Sequence, residues 1–354
     1  MNEIVRKISL DMRKITTTND ITVDKTNFIT DDKTNKVYVS SLIDTSTGGL
    51  DISKEDSHKL KECIMQASKL SGLLYNTRDV WARDYMPIQL TEDIFLSYIY
   101  KPDYLNKYPT YVTNWDLHGV NTKEDNKVEK AFNGDVVHIP LILDGGNVVK
   151  AVCNGQPCMI MCNKVLKENN VSEVAFRLWW DEWWGKHFNG TKMGLILLPW
   201  VGKRIDPIGH ADGMVRYIGE GRILMANYYD FDKKEGDALY GCLKNCIDEK
   251  NIIKLDFHKF WEKHKEEKMC RDLFHLSWCY INYLHVGNNI LVPSLGYPEL
   301  DNEALVQIRN AFSTNAEKTE IKTINVDMTH IVSDVNEFTN SGGALNCLTW
   351  TIKA

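Results

Sequence analysis

The stretch Gly209–Ile218, GHADGMVRYI, joins a polar motif to an apolar strand and sets the interpretation of the whole chain. Its His210 and Asp212 are two residues apart, and alternate side chains of a strand face the same side, so both can address one ligand. The neighbouring glycines permit close approach of the backbone. A turn at Gly219–Gly221 then leads into RILMANY, which predicts a β-hairpin that opens on the polar motif.

Three other segments repeat this order of polar motif, strand, turn and strand. They are RDYMPIQL with IFLSYIY, DGGNVVKAV with PCMIMC, and INYLHV with ILVPSLG. Gly and Asn in the later turns suit the positive φ of tight hairpins. The copies recur every 60–80 residues or so, and about five fit the length. We therefore predict an α/β fold of repeated ββαβ modules around an axis, with the polar motifs meeting in a central funnel.

The two ends of the chain carry weaker patterns. Lys36–Ile43 resembles a strand and an amphipathic helix follows, a pair that fits the last module. Near the other end we predict a helix capped by Asp301 and a strand at Ile321–Val326. No linker divides the 354 residues, so we expect one domain over 1–354, with polar residues 1–35 as a loose lead-in or a peripheral strand.

Composition excludes several classes of protein. Hydrophobic residues make up 43% and charged residues 25%, as in globular domains. The formal net charge of -6 offers no broad basic field for nucleic acid. No apolar run is long enough to span a membrane, and the first 14 residues lack the apolar core of a signal peptide. We expect a cytoplasmic protein with neither a nucleic-acid nor a membrane partner; its oligomeric state is not set by the sequence.

The nine cysteines do not indicate a disulfide framework, because their number is odd and no signal peptide precedes them. Cys158 and Cys162 are four apart, as are Cys242 and Cys246. Zinc sites usually pair cysteines three apart, so structural zinc is disfavoured. Most of these cysteines are expected to be small buried apolar residues.

The residues at the openings of the modules form one chemical set: Trp81, Arg83, Asp84, Asp144 before Gly145–Gly146, His210, Asp212, Asn282 and Cys347. A cysteine thiolate can attack an electrophilic carbon, and a histidine can move protons. Clustered carboxylates require a cation, and no metal-ligand spacing accompanies them. A planar guanidinium pairs with carboxylates bidentately. We therefore expect a small cationic guanidine substrate and no metal or organic cofactor.

Five motifs, WARDYMP, LDGGN, GHADGMVRYI, YIN and SGGALNC, resemble those of the agmatine deiminase and bacterial-type (Porphyromonas-type) peptidylarginine deiminase family, in the same order over roughly residues 73–354. The resemblance implies membership of the guanidino-group modifying superfamily and its five-bladed α/β-propeller, the pentein fold. It also implies hydrolytic deimination through a cysteine thiouronium, which releases ammonia and a ureido product without a cofactor.

The resemblance implies catalytic roles for three residues. Cys347 would be the nucleophile, and His210 would be the general acid and base. Asp144 would orient His210. Met86, Asp144 itself and Asn346 depart from the usual family pattern. We expect these departures to alter the pocket wall and its surroundings rather than the reacting set.

The resemblance also implies residues that bind the substrate. Asp84 and Asp212 would hold the guanidinium nitrogens from two sides, and Trp81 would line the pocket along the aliphatic stem. Asn282 would help to bind the substrate from its own strand. Arg83 would be structural and would point away from the substrate, because neighbouring side chains on a strand face opposite sides.

Several substrates and activities remain open at this point. Agmatine, converted to N-carbamoylputrescine in putrescine biosynthesis, is the first choice; peptidylarginine or free arginine is the alternative. An amidinotransferase would pass the same thiouronium to an amine. A guanidine- or peptide-binding protein without activity would need neither Cys347 nor His210. The segments Leu178–Trp184 and Phe257–Lys268 are interpreted as packed surface helices in preference to a substrate lid.

Overall fold

The computed structural model describes residues 21–44, 54–67, 72–75, 77, 80–102, 121–123, 126–127, 135–200, 208–313, 322–328 and 343–354. Within these residues the strands form five three-stranded sheets and one two-stranded ribbon. None of the helices in these ranges is both long and apolar enough to cross a membrane.

The strands of the first half are β1 (Lys36–Ser40), β2 (Gly72–Leu74), β3 (Ile88–Gln89), β4 (Ile94–Ile99), β5 (Asn121–Lys123), β6 (Asn126–Lys127), β7 (Asp135–Ile142), β8 (Val149–Cys153) and β9 (Gln156–Cys162). Those of the second half are β10 (Gly194–Leu198), β11 (Val215–Tyr217), β12 (Ile223–Met225), β13 (Ile252–Lys254), β14 (Leu284–Val286), β15 (Asn289–Ser294), β16 (Lys322–Asp327) and β17 (Thr349–Ile352). The helices are α1 (Lys54–Gln66), α2 (Ala82–Tyr85), α3 (Lys164–Glu168), α4 (Glu173–His187), α5 (Tyr228–Phe231), α6 (Lys233–Lys244), α7 (His258–His264), α8 (Lys268–Phe274) and α9 (Pro298–Ser313).

Each three-stranded sheet repeats one connectivity. Two strands pair antiparallel, and the second of them pairs in parallel with a third strand farther along the chain. The sheet orders are β3-β4-β7, β10-β9-β8, β11-β12-β13, β14-β15-β16 and β17-β1-β2. The predicted number of modules is therefore confirmed, with helices between the second and third strands of four of them.

The fifth sheet joins the two ends of the described chain. Strand β17 pairs antiparallel with β1, with Tyr38 opposite Trp350, and β2 pairs in parallel with β1 beyond helix α1. The early strand and helix thus complete the last module, as their pattern predicted. The predicted strand 36–43 ends at Ser40, where a 3-10 turn begins.

The hairpin turns have the backbone conformation that their residues indicated. Asn154 and Gly155 have φ of 51° and 76° between β8 and β9. Gly219 and Gly221 have φ of 90° and 73°, and Gly287 has φ of 57°. Glycine and asparagine adopt these left-handed conformations at low cost, which is why they close two-residue hairpin loops.

The cap predicted at Asp301 is wrong, because α9 begins one turn earlier at Pro298. Proline lacks the N–H that a first helical residue would leave unpaired, so it suits that position. The Asp301 carboxylate instead accepts hydrogen bonds from the Tyr280 and Ser294 hydroxyls and from the Leu295 backbone N–H. It therefore ties α9 to β15 and to the 3-10 turn that precedes β14 in the same module.

The tryptophan-rich segment forms part of helix α4 and packs as predicted. Trp180, Trp183 and Trp184 are buried, and the Trp180 indole N–H donates to the Met193 carbonyl. Leu178 faces outward and is 69% exposed. In the second unexplained segment, α7 buries Phe260 and Trp261 against the core.

The expected N-terminal lead-in is described only from residue 21, and residues 1–20 lie outside the described part. Phe28 and Ile29 are buried, and the Ile29 N–H donates to the Leu90 carbonyl beside β3. The 3-10 turn Asp31–Lys33 follows. This turn carries Asp31, whose carboxylate pairs with the buried Arg216 guanidinium at 2.8 Å.

Candidate active site

The predicted site residues lie in short turns that immediately precede the first strand of each sheet. Asp84 is in α2, Asp144 precedes the 3-10 turn Gly145–Asn147, His210 precedes the 3-10 turn Ala211–Gly213, Asn282 follows the 3-10 turn Ser277–Ile281, and Cys347 lies in the turn before β17. Contacts run from the turn of each module to that of the next, and α2 also contacts β17. Hydrogen bonds from the backbone N–H groups of the Cys347 turn to the Asn282 side-chain oxygen complete the circle.

The strand geometry expected for His210 and Asp212 is wrong. The Gly213 N–H donates to the His210 carbonyl and the Met214 N–H to that of Ala211, which closes a 3-10 turn in place of a strand. Both side chains still face the site, since His210 contacts Asp144 and Asp212 contacts Cys347. The tertiary packing thus achieves the convergence by another local conformation.

The His210 imidazole lies between two carboxylates. Its Nε2 is 2.9 Å from Asp144 Oδ2, and its Nδ1 is 3.6 Å from Asp84 Oδ1. Burial lowers the pKa of His210, but Asp84 and Asp144 outweigh that effect and raise it to about 9. Burial likewise opposes ionisation of Asp144, yet His210 and Lys164 bring the pKa of its carboxyl below the usual value. The imidazole is therefore held as an imidazolium.

Gly146 packs directly against this pair. Its N–H donates to Asp84 Oδ1 at 2.9 Å. A Cβ at this position would lie 2.6 Å from Asp84 Oδ1 and 2.7 Å from His210 Nδ1, closer than side-chain atoms can approach. The second glycine of the pair therefore provides the space in which the acid and the histidine meet.

Cys347 is buried, with only 4% of the residue exposed, and its thiol donates to Asp212 Oδ2 at 3.6 Å. Burial raises the pKa of this thiol well above its usual value, and the charges of Asp212 and Asp84 raise it further. In the absence of a cation the sulfur is therefore a thiol. A bound cation would offset both carboxylates and favour the thiolate.

Asn282 holds the turn that carries Cys347. Its Oδ1 accepts hydrogen bonds from the backbone N–H groups of Ala344, Asn346 and Cys347, at 3.2, 3.1 and 3.3 Å. Its Nδ2 donates to the Asp212 carbonyl at 3.4 Å. These contacts assign Asn282 a structural position, and the substrate-binding role implied by the resemblance stays a prediction.

The other two motif residues take different positions. Trp81 is buried, and a Cβ on Gly343 would lie 2.5 Å from its ring, so the glycine lets the Cys347 segment pass over the indole. Arg83 is in a helical turn rather than a strand. Its guanidinium donates to the Asn346 carbonyl and the Thr351 hydroxyl, so it braces the Cys347 turn from behind.

Three further residues belong to the site although sequence reasoning did not select them for it. Asn346, one of the departures from the usual family pattern, donates from Nδ2 to Asp212 Oδ2 at 2.6 Å. The expectation that these departures would leave the reacting residues untouched is therefore wrong at this position. Asn147 Oδ1 accepts from the N–H groups of Cys162 and Ala211, which ties β9 to the His210 turn. Lys164 contacts Asp144. Asn147 is the last letter of LDGGN and could have been found there; Lys164 lies in no motif.

One group of possible metal ligands occurs among the described residues, on α7 and α8. Atoms of His264, Glu267 and Cys270 lie within 4.8 Å of one another. His264 Nδ1 and Glu267 Oε1 are 2.7 Å apart and form an ion pair. The cysteine sulfur donates to the same carboxylate at 3.8 Å. These hydrogen bonds account for the proximity of the three side chains.

Comparisons with known proteins show which family the sequence matches and which structures share its fold. Residues 44–352 match the family model described as Porphyromonas-type peptidyl-arginine deiminase. Agmatine deiminase of Enterococcus faecalis is 14% identical with a TM-score of 0.57, over 94% of this chain and 97% of that one. C. jejuni agmatine deiminase is 16% identical with a TM-score of 0.60, over 93% and 96%. These structures share the fold with this chain. Comparison with curated protein sequences finds no significant match.

Proposed function

The chain belongs to the Porphyromonas-type peptidyl-arginine deiminase family, and we propose that it hydrolyses a guanidinium substrate to a ureido product and ammonia. Cys347 would act as nucleophile and His210 as general acid and base, with Asp144 orienting the imidazole. Asp84 and Asp212 would bind the guanidinium nitrogens, and Trp81 would line the pocket. No metal or organic cofactor takes part in this scheme.

The observation that carries the proposal is the meeting of three carboxylates, one thiol and one imidazole in a buried place. Asp84, Asp144 and Asp212 are each at most 4% exposed. Such a concentration of buried negative charge is costly unless cations neutralise it. His210 and Lys164 offset part of it, and a guanidinium bound between Asp84 and Asp212 would offset the rest.

The first half of the reaction forms a carbon–sulfur bond. Substrate binding stabilises the Cys347 thiolate, and its proton is released to solvent. The sulfur attacks the guanidinium carbon and gives a neutral tetrahedral adduct. One carbon–nitrogen bond then breaks as the His210 imidazolium donates a proton to the departing nitrogen, which leaves as ammonia. A cationic thiouronium on Cys347 remains.

The second half breaks the carbon–sulfur bond. The neutral His210 accepts a proton from a water molecule as the water oxygen attacks the thiouronium carbon. The adduct collapses with departure of the thiolate, and the product loses a proton to become a neutral ureido group. The thiol and the imidazolium are thereby restored. Guanidinium and water have become ammonia, a urea and one proton.

Agmatine is the substrate we propose first, because the similar solved structures include agmatine deiminases. A C. jejuni agmatine deiminase with cysteine replaced by serine has been crystallised with substrate bound, at 17% identity to this chain. The name of the matching family supports peptidylarginine as the second candidate. Free arginine is less favoured, because the guanidinium of Arg83 is engaged behind the Cys347 turn and is not available to bind an α-carboxylate.

We also propose that the five sheets form the five-bladed α/β-propeller of this superfamily. The circle of contacts between successive site turns supports a closed arrangement. Such closure explains why residues from every module reach one place. The last module, with strands from both ends of the chain, would then seal the ring.

Mass spectrometry of products tests the proposed reaction. The protein is incubated separately with agmatine, free arginine and an arginine peptide blocked at both ends. Replacement of an imino group by oxygen adds about one mass unit, and ammonia should appear in equal amount. We expect agmatine to react fastest; preference for the blocked peptide would favour the second candidate.

Cys347→Ala is the matched control for this reaction. It should keep the wild-type melting behaviour within a few degrees and lose all turnover, because no other group forms the thiouronium. Wild-type protein inactive on all three substrates would contradict the proposed function. So would a Cys347→Ala variant with more than about a tenth of wild-type activity.

A further inference from the structure

A lysine with almost no exposed surface lies beside the proposed catalytic pair. Lys164 begins α3 and its side chain is 1% exposed. Its Nζ is 3.4 Å from Asp144 Oδ2 and 3.1 Å from Glu168 Oε1. Transfer of an ammonium group into the protein interior costs several kcal/mol unless carboxylates compensate. A buried lysine in this position therefore calls for a reason beyond packing.

The lysine and the histidine share one carboxylate oxygen. Asp144 Oδ2 contacts both His210 Nε2, at 2.9 Å, and Lys164 Nζ. The order of contacts gives a buried row of alternating charge, which runs from Asp84 through His210, Asp144 and Lys164 to Glu168. Lys164 is thus one carboxylate away from the imidazole and does not contact it.

We propose that Lys164 is a positioning residue for deimination, one that holds Asp144 against His210 and keeps the imidazole able to release its proton. This inference rests on the function proposed above, because only that reaction requires His210 both to donate and to accept a proton. Lys164 would act through its contact with Asp144 and through its positive charge near the imidazole. It would have no contact with the substrate.

The physical reason is a balance of charge. Asp84 and Asp144 stabilise the imidazolium. Burial opposes its charge, but the carboxylates outweigh burial, and the pKa of His210 is about 9. An imidazolium that retains its proton still more strongly would be a weaker general acid toward the departing nitrogen in the first half-reaction. The positive charge of Lys164 opposes that retention. The charged or titratable groups around this row are Asp84, Asp144, Lys164, Glu168, Asp212, Tyr98 and Cys347.

Removal of the ammonium group tests the proposal. Two unit charges about 6 Å apart, at an effective dielectric near 20, change a pKa by about two units. Lys164→Met removes the positive charge and leaves the negative charge of Glu168, and both effects favour the imidazolium. The pKa of His210 should therefore rise by about one unit or more. The pKa is read from imidazole NMR titration of histidine-labelled protein, with His210→Gln to assign the signal. In the active protein, the pH dependence of kcat should move to higher pH by a similar amount.

Two variants keep the test decisive. Lys164→Met combined with Glu168→Gln removes both charges, so it leaves no unpaired buried carboxylate at position 168 if the single variant fails to fold. Its His210 pKa should lie between those of wild type and Lys164→Met, or above wild type if the single variant cannot be measured. Lys186→Met removes an exposed lysine of α4 and should leave the His210 titration unchanged.

A His210 pKa that stays within about 0.3 units of wild type in the Lys164 variants, or that falls, would overturn the proposal. The NMR titration needs no turnover, so it separates the two ideas. Absence of deimination in the wild type would reject the proposed function even with the expected shift. An active enzyme in which the pKa of His210 does not depend on the residue at position 164 would reject only the role of Lys164.

Discussion

At the scale of single residues, Gly146 fits the site because it has no side chain. We expect Gly146→Ala to lower kcat/KM by about a hundredfold or more, since its methyl group must displace Asp84 or His210 and small misplacements of reacting groups cost that much. Gly185→Ala, on an open face of α4, is the control and should keep full activity. Steady-state kinetics of both variants measure the difference. Equal activities would mean that the site does not depend on this close approach.

His210 links the charges of the site to stability. Its folded-state pKa of about 9 is above the usual value of 6.5, so its contribution to stability is complete below about pH 6.5 and is lost as the pH rises through 9. We expect this loss to be about 2–3 kcal/mol between pH 6 and pH 10. Urea unfolding at the two pH values measures it. In His210→Gln the loss should be smaller; an equal loss in this variant would assign it to other groups.

At the scale of elements, a single side chain secures the turn before β17. Asn282→Ala would leave the N–H groups of three buried residues without their acceptor, at a cost of about 2–4 kcal/mol in the free energy of unfolding. The turnover rate should fall as well, because the turn carries Cys347. Asn245→Ala, at the exposed end of α6, should change stability by less than about 0.5 kcal/mol. Denaturant titration compares the two variants, and similar values would argue against this role of Asn282.

At the scale of the whole molecule, the pairing of β17 with β1 joins both ends of the described chain. Trp350 lies at this junction, packs near Tyr38 and Phe95 with tilted rings, and donates from its indole N–H to the Pro87 carbonyl. Trp350→Ala should destabilise the protein by about 3–5 kcal/mol, because it removes a large buried side chain that joins two modules. Leu178→Ala, at an exposed position of α4, should have little effect. Differential scanning calorimetry should show a clearly lower Tm for the first variant only.

The repeated modules and the set of site residues could be predicted from the sequence because the signals are local. Asn154–Gly155 strongly favours a tight hairpin, because Asn and Gly adopt positive φ at lower cost than other residues. Each polar motif immediately precedes such a hairpin, so the motifs occupy equivalent positions in successive modules. Convergence of Asp84, Asp144, His210 and Cys347 then follows from repetition, because equivalent positions in equivalent modules meet at one place.

Only the tertiary structure decided the contacts that tune these residues. The 3-10 turn at Ala211–Gly213, the bond from Asn346 to Asp212 and the lysine behind Asp144 depend on which segments pack together. Lys164 follows β9 without any motif, and its sequence neighbours resemble those of an ordinary surface helix. Contacts between charged groups that are far apart in sequence are set by distances in space, which local propensities do not encode. The sequence therefore determined which chemical groups would meet, and packing determined how strongly each would hold its proton.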